Sequence, residues 1–421
     1  MTRLMSTSNG LAAATTASVK RSMVVPTPRF YSTKIDPMTG ELAPSPVRSL
    51  DASRLKITNT TTPRDMPPSE SLIFGHSFSD HMLTIPWTST GGWADPVIGP
   101  YAPLTLDPSS VIFHYAPSLF EGMKAYKDKD GKVRLFRPDM NMRRMNLSAD
   151  RIALPTFDGG ELTKLIKKLV TLDSAWVPSA PGHSLYIRPT LIGTQAALGV
   201  NQTSDALLFV ITSPVGPYYP TGFKPVSLEA DPEKVRAWPG GVGQYKLGGN
   251  YAPGIKTQKE AATRGYQQCL WLFGEEQWLT EVGTMNLFIV IRGEDGVSEL
   301  VTPPLNGMIL PGVTRDSILS LSRAHSNGQT NIPGLPKQLR VVEREMSIHE
   351  LQSHAERGSL LEMFGAGTAA VVSPVERVGY KGRDIMIPTG EGGAGEVAKA
   401  MLAEIDLIQR GGKEHPWSVV C

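Results

Sequence analysis

The sequence predicts a mixed α/β fold, and three features of its apolar pattern carry that reading. Strand-like runs lie at Met82 to Trp87, Val133 to Phe136, Ser184 to Leu191 and Leu207 to Thr212. Helical spacing intervenes from Glu161 to Leu172, where Leu162, Leu165, Ile166 and Leu169 share one face. The second half adds strand-like runs at Gln268 to Phe273, Trp278 to Val282 and Asn286 to Ile291, the first two separated by the turn-forming GEEQ. After LPGV, the segment TRDSILSLSRAH has apolar positions at helical spacing, which puts Val313 and Thr314 at a helix N-terminus. A closing amphipathic helix is expected over Glu396 to Gln409.

A chain of 421 residues is long enough for two domains. Before Asp36 there is no acidic residue, whereas Arg3, Lys20, Arg21, Arg29 and Lys34 are basic and Ser, Thr and Ala fill the gaps. That composition is expected of a mitochondrial transit peptide over 1–31, ending at Tyr31 in RFYS, and it places the protein in the matrix. Residues 32–70 are rich in Pro, Thr and Ser and read as an extended lead-in. A small α/β domain is expected over 71–212 and a larger one over 224–421. The Pro- and Gly-rich SPVGPYYPTGF at 213–223 is the expected linker.

Composition narrows the partners. A net charge of +2 suggests neither a nucleic-acid backbone nor an anionic membrane as the main partner. No apolar run approaches the roughly 18 to 20 residues of a membrane span. Cys269 and Cys421 are the only cysteines, so neither a disulfide framework nor a cysteine metal site is expected. A small-molecule ligand is the remaining class.

The segment WPGGVGQYKLGGNYAPG places glycines on both sides of Lys246, so backbone can approach a flat or anionic ligand without an intervening Cβ. A nucleotide phosphate loop requires Gly before the lysine and Ser or Thr after it, but Tyr245 and Leu247 stand there. Two readings of the residues stay open: a solvated loop lysine, and a lysine that forms a Schiff base with pyridoxal phosphate. The second needs a neutral amine, and the cofactor needs three further anchors. A carboxylate must keep the ring nitrogen protonated, a donor must meet the ring oxygen, and backbone N–H groups with a cation must hold the phosphate.

Each anchor has a candidate. Glu281 ends an apolar strand in LTEVGTMN, where a buried carboxylate demands a cationic partner, which the protonated ring would be. Tyr251 follows Lys246 in the same loop and is the candidate donor. The helix start at Val313 and Thr314, the small-residue turn Gly367, Thr368 and Ala369, and Arg144 are the candidate phosphate cup. In the strand from Ser184, period two puts Tyr186 and Arg188 on one face.

SLFEGMKAY, RLFRPDMNMRRM, LYIRPTLIG, GGVGQYKLGGNYAPG, LTEVGTMNLF, TPPLNGMILPGVTR and FGAGTA, in this order, resemble the branched-chain amino acid aminotransferases. The resemblance runs from about Ser71 to the C-terminus. It implies the class IV pyridoxal phosphate fold, with a small α/β domain and a larger barrel-like domain, and an obligatory homodimer. It implies amino-group exchange between L-leucine, L-isoleucine or L-valine and 2-oxoglutarate. Around the cofactor it adds Thr284, Asn286, Leu310 and Gly312. Phe74, Phe120, Tyr186, Tyr218, Tyr251 and Thr284 match pocket positions, and Arg188 is placed to meet the side-chain carboxylate of glutamate. Thr368 and Ala369 would bind the substrate carboxylate through backbone N–H groups. Tyr115, Leu198 and Val200 would reach the pocket from the partner subunit. Mammalian members carry a redox-active CxxC after the glycine-rich turn; Ala370, Val371, Val372 and Ser373 stand there instead, which excludes thiol regulation at that site. D-amino acid aminotransferases and aminodeoxychorismate lyases share the lysine and glutamate, but LYIRP and GGVGQYKLGGNY fit the branched-chain group better.

Overall fold

The computed structural model describes residues 47–216 and 224–421. The expected transit peptide, the first part of the lead-in and most of the expected linker lie outside the described residues. From Val47 to Cys421 the chain is one compact unit built around two sheets.

The first sheet has ten strands. Its central pair is the antiparallel Ser184–Gly193 and Asp205–Val215, flanked by His81–Thr88 on one side and Met123–Lys127 on the other. One face is covered by the helices Pro138–Arg151 and Gly159–Leu172. Leu162, Leu165, Ile166 and Leu169 pack with Leu83, Ile85, Leu135 and Leu208 in a single core, as their shared helix face predicts. The second helix starts at Asp158, whose carboxylate accepts from the N–H groups of Gly160 and Glu161.

The second sheet has nine strands, six of which close on themselves. The ring runs Trp278–Val282, Gln268–Phe273, Val226–Ala230, Val371–Tyr380, Leu360–Gly367, Met285–Arg292 and back to Trp278–Val282. Closure leaves those strands no free edge. Along Met285–Arg292, Leu287, Ile289 and Ile291 belong to one core while Phe288 and Val290 pack with the helices Val313–Ser326 and Glu396–Gln409. Both faces of this strand are buried, which explains its unbroken apolar run.

Three boundaries differ from expectation. The lead-in is part of the first sheet from Val47 onward: Leu50 is buried in its core and Lys56–Ile57 pairs with Val97–Pro100. The Thr60 N–H donates to His81 Nε2 at 2.9 Å, and His81 Nδ1 lies 2.6 Å from Asp173 Oδ1. Isolated apolar residues and side-chain hydrogen bonds anchor this segment, so no periodicity announces it. Ser213 to Val215, assigned to the linker, complete the long strand Asp205–Val215. Ser418–Val420 returns to the first sheet, pairing with Val133–Phe136, although it was assigned with the second domain. The other strands and helices for which the sequence predicts limits fall within about two residues of them.

Candidate active site

Two turns and a helix start meet at one end of the closed ring. Val282 pairs with Met285, leaving Gly283 and Thr284 as a two-residue hairpin turn with Gly283 at φ +56°. Gly367 pairs with Val371, which makes Thr368, Ala369 and Ala370 a second turn. Asn286 stands opposite Glu281 on one neighbour and Ala366 on the other, so the first hairpin and the second share a face. Glu281, Thr284 to Asn286 and Ala366 to Ala370 line, together with Gly312, Val313 and Thr314, a cavity of about 360 Å³.

Lys246 enters this cavity from a loop pinned at several points. Its N–H donates to Ser148 Oγ at 2.9 Å and its carbonyl accepts from the Phe120 N–H at 3.1 Å. Asn250 Nδ2 donates to the carbonyls of Val242 and Tyr245. A Cβ on Gly243 would overlap the Met308 carbonyl, and one on Gly248 would overlap Ser118 Oγ, so the glycines permit close packing. Lys246 Nζ lies 3.1 Å from the Tyr251 hydroxyl and 4.8 Å from the centre of the Phe120 ring.

Glu281 is buried, and burial raises its pKa, with Arg236 the chief opposing influence. Its Oε2 lies 2.7 Å from Arg236. Its Oε1 accepts from the Leu310 N–H at 3.0 Å and from Asn286 Nδ2 at 3.2 Å, and the same Nδ2 donates to the Leu310 carbonyl. The chain itself also supplies a cation for Glu281, Arg236, which the sequence reading does not anticipate. Oε2 keeps acceptor capacity beyond Arg236 for a further donor. Arg236 gave no sequence signal, because it lies 45 residues upstream in an ordinary-looking loop.

Asn141, Arg144 and Ser148 follow the i, i+3, i+7 spacing and present one face of the helix Pro138–Arg151 to the site. The Arg144 guanidinium is held by Glu121, Nε to Oε1 at 2.7 Å and Nη2 to Oε2 at 2.8 Å, while Nη1 donates to the Pro311 carbonyl. Asn141 Nδ2 also donates to Glu121. Burial alone would raise the Glu121 carboxyl; the Arg144 charge and hydrogen bonds outweigh it and hold the pKa below its usual value. Glu121 is a site residue that the sequence reading missed, though it stands in the quoted SLFEGMKAY.

The helix Val313–Ser326 begins at Gly312 without a side-chain cap. A Cβ there would overlap Asn286 Oδ1. Uncapped first-turn N–H groups facing a cavity form a ready anion site. With Arg144 beside them, a carboxylate with spare acceptor capacity and a lysine–tyrosine pair, the residues fit a phosphorylated, protonated ring carrying a carbonyl.

Each residue expected around the cofactor lines this one cavity: Arg144, Lys246, Tyr251, Glu281, Thr284, Asn286, Leu310, Gly312, Val313, Thr314, Gly367 and Thr368. Of the expected substrate residues, Phe74, Phe120, Tyr186, Arg188, Thr284, Thr368 and Ala369 line it too. Phe74 meets Tyr186 edge-on at 4.9 Å, and Arg188 lies over the Phe120 ring at 4.6 Å. The Arg188 Nη2 donates to the Tyr186 hydroxyl at 3.2 Å, whereas its buried Nε has no hydrogen-bond partner among the described residues. Gln268 and Met285 also line the wall and were not anticipated. Tyr115, Leu198 and Val200 do not line the cavity of their own chain; all three are exposed, and the Tyr115 hydroxyl donates to the Leu198 carbonyl. Tyr218 lies outside the described residues. No group of three or more His, Cys, Asp or Glu is arranged for a metal among the described residues.

Residues 118–378 match the family model for amino-transferase class IV. The chain is 54% identical over 374 residues to the cytosolic branched-chain-amino-acid aminotransferase of Saccharomyces cerevisiae, covering 88% of this chain and 97% of that one. The mitochondrial form from the same yeast is 54% identical, with 86% and 91% covered. The T.th. branched-chain amino acid aminotransferase, solved with pyridoxamine 5'-phosphate, superposes with a TM-score of 0.60 at 26% identity, covering 80% of this chain and 97% of that one. The uncapped helix start, the Lys246 loop and these likenesses converge: the chain belongs to the branched-chain-amino-acid aminotransferase family of class IV aminotransferases.

Proposed function

We propose that this protein exchanges the amino group of L-leucine, L-isoleucine or L-valine with 2-oxoglutarate, using pyridoxal phosphate carried on Lys246. The observation that carries the reading is the convergence of Lys246, Tyr251, Glu281 and the uncapped helix start on one cavity. Pyridoxal phosphate supplies an electron sink for the pair left on the substrate Cα when its proton departs. Lys246 would carry the cofactor and, as a free amine, would be the base that takes and returns that proton. Tyr251, 3.1 Å from Lys246 Nζ, donates toward the ring oxygen and orients the amine. Glu281 holds the proton on the ring nitrogen. Val313, Thr314, Thr368 and Arg144 hold the phosphate.

Phe74, Phe120 and Tyr186 form an apolar wall for branched side chains. One methylene is worth only about 1 to 3 kcal/mol there, so all three amino acids are accepted. Arg188, with its unsatisfied Nε, meets the second carboxylate of glutamate or 2-oxoglutarate. Replacing it isolates that role: Arg188→Met is expected to lower kcat/KM for glutamate roughly 10- to 100-fold, the worth of one charge-assisted hydrogen bond, while leucine stays within about threefold. Steady-state assays with both donors check this, and equal losses for the two would contradict it.

The protein acts as a homodimer with a shared site. Exposed Tyr115, Leu198 and Val200, with exposed Phe113 two residues before Tyr115, form the apolar surface a partner would cover. The acid-free basic leader supports a mitochondrial matrix location. Function is tested by measuring amino transfer to 2-oxoglutarate: L-leucine, L-isoleucine and L-valine support turnover and D-leucine does not. Turnover with D-leucine alone would overturn the assignment.

A further inference from the structure

Lys124 lies behind the second turn, outside the reaction cavity, and none of the chemistry above uses it. It sits in the strand Met123–Lys127 of the first sheet, buried, and its Nζ donates to the Ala369 carbonyl at 2.7 Å. It makes no ion pair among the described residues. Burial, reinforced by Arg410 and opposed by Asp406, pushes the amine down to about 8. An unpaired buried amine is costly, so its one hydrogen bond calls for a physical reason.

The peptide plane supplies that reason. In a trans peptide the carbonyl of Ala369 and the N–H of Ala370 belong to one rigid unit and point in opposite directions. Ala369 and Ala370 line the reaction cavity, whereas Lys124 does not. A carbonyl drawn back onto Lys124 therefore turns the Ala370 N–H forward. The next carbonyl is tied back too, accepting from the Val372 N–H at 2.8 Å. Val371 then adopts φ +62°, a left-handed conformation unfavourable for a β-branched residue, which persists only where the surroundings hold it.

We propose that Lys124 is a positioning residue for the substrate carboxylate: by clamping the Ala369 carbonyl it aims the Ala370 N–H into the cavity, beside the turn N–H groups of Thr368 and Ala369. This rests on the aminotransferase reading of the site. Neither Thr368 nor Ala369 requires a side chain for this task, so the lysine on the opposite sheet is what gives the turn its direction.

The test uses the holoenzyme and two fragments of leucine. The first is 4-methylpentanoate, which keeps the carboxylate and lacks the amine. The second is isopentylamine, which keeps the amine and lacks the carboxylate. Binding of the first is titrated by the absorbance of the bound cofactor; reaction of the second is followed by the same signal. Lys124→Met is expected to weaken 4-methylpentanoate about tenfold, the effect of losing one aligned hydrogen bond, and to raise KM for leucine more than it lowers kcat. Isopentylamine should react at the wild-type rate. Lys124→Gln, which keeps a donor to Ala369 without charge, should recover part of the affinity, and it serves as the test if Lys124→Met fails to fold. Equal loss toward both fragments, or unchanged carboxylate affinity in either variant, overturns the inference. A wild-type protein that binds neither fragment overturns the aminotransferase reading itself.

Discussion

Lys246→Ala is expected to abolish amino transfer while leaving the fold intact. In the proposed mechanism one amine both carries the cofactor and serves as the base at Cα, so the substitution removes two functions at once. Loss of a positioned base alone costs roughly 10² to 10⁴ in rate. No neighbour can replace it: the guanidinium groups of Arg144 and Arg188 offer donors and no acceptor, and Lys124 is committed behind the turn to the Ala369 carbonyl. The loop itself is held by the Lys246 N–H on Ser148, by the Phe120 N–H on the Lys246 carbonyl and by Asn250, none of which involves the lysine side chain. Steady-state turnover and a thermal melt of the apoprotein measure both halves of this claim. Turnover within tenfold of wild type would remove Lys246 from the centre of the mechanism.

Glu121→Ala is the substitution expected to cost most in stability. Glu121 is fully buried and holds Arg144 with both oxygens, and Asn141 donates to it as well. Its removal leaves a buried guanidinium without its counter-charge, which costs about 3 to 5 kcal/mol. Urea denaturation of the apoprotein should register this as a lower midpoint, and a loss below about 1 kcal/mol would show that Arg144 finds another partner. The pH dependence has a definite sign. A carboxyl whose folded pKa is depressed contributes stability above its unfolded pKa, near 4.3, and loses it as pH falls through the folded value. The Glu121 contribution is therefore intact at neutral pH and disappears only in acid. Cofactor retention should weaken with it, because Glu121 orients Arg144 toward the proposed phosphate site.

Much of this site was legible in the sequence where backbone demands were visible. The Lys246 loop declared itself through glycines that the packing against Met308 and Ser118 requires. Val313 and Thr314 followed from LPGV before a periodic helix, and Tyr186 with Arg188 from strand alternation. The shared-subunit residues and the finer pocket assignments came from the family resemblance, not from periodicity. Ion pairs were the least visible. Arg236 with Glu281, and Glu121 with Arg144, join residues 45 and 23 positions apart, and no local pattern links them. The Lys124 clamp crosses from one sheet to the other, which only the folded chain reveals. Likewise Val47 to Glu70 looked extended because scattered residues such as Leu50 and side-chain hydrogen bonds fasten it, not an apolar stripe.

The central claim is that Lys246 carries a cofactor able to accept an amino group from a branched-chain amino acid. A single half-reaction tests it most directly: the purified holoenzyme is mixed with L-leucine, without any oxo acid, and its absorbance is recorded. The account predicts that the lysine-bound cofactor band is lost to the amine form, returns on addition of 2-oxoglutarate, and does not respond in this way in Lys246→Ala. A wild-type spectrum unchanged by L-leucine, L-isoleucine and L-valine would contradict it.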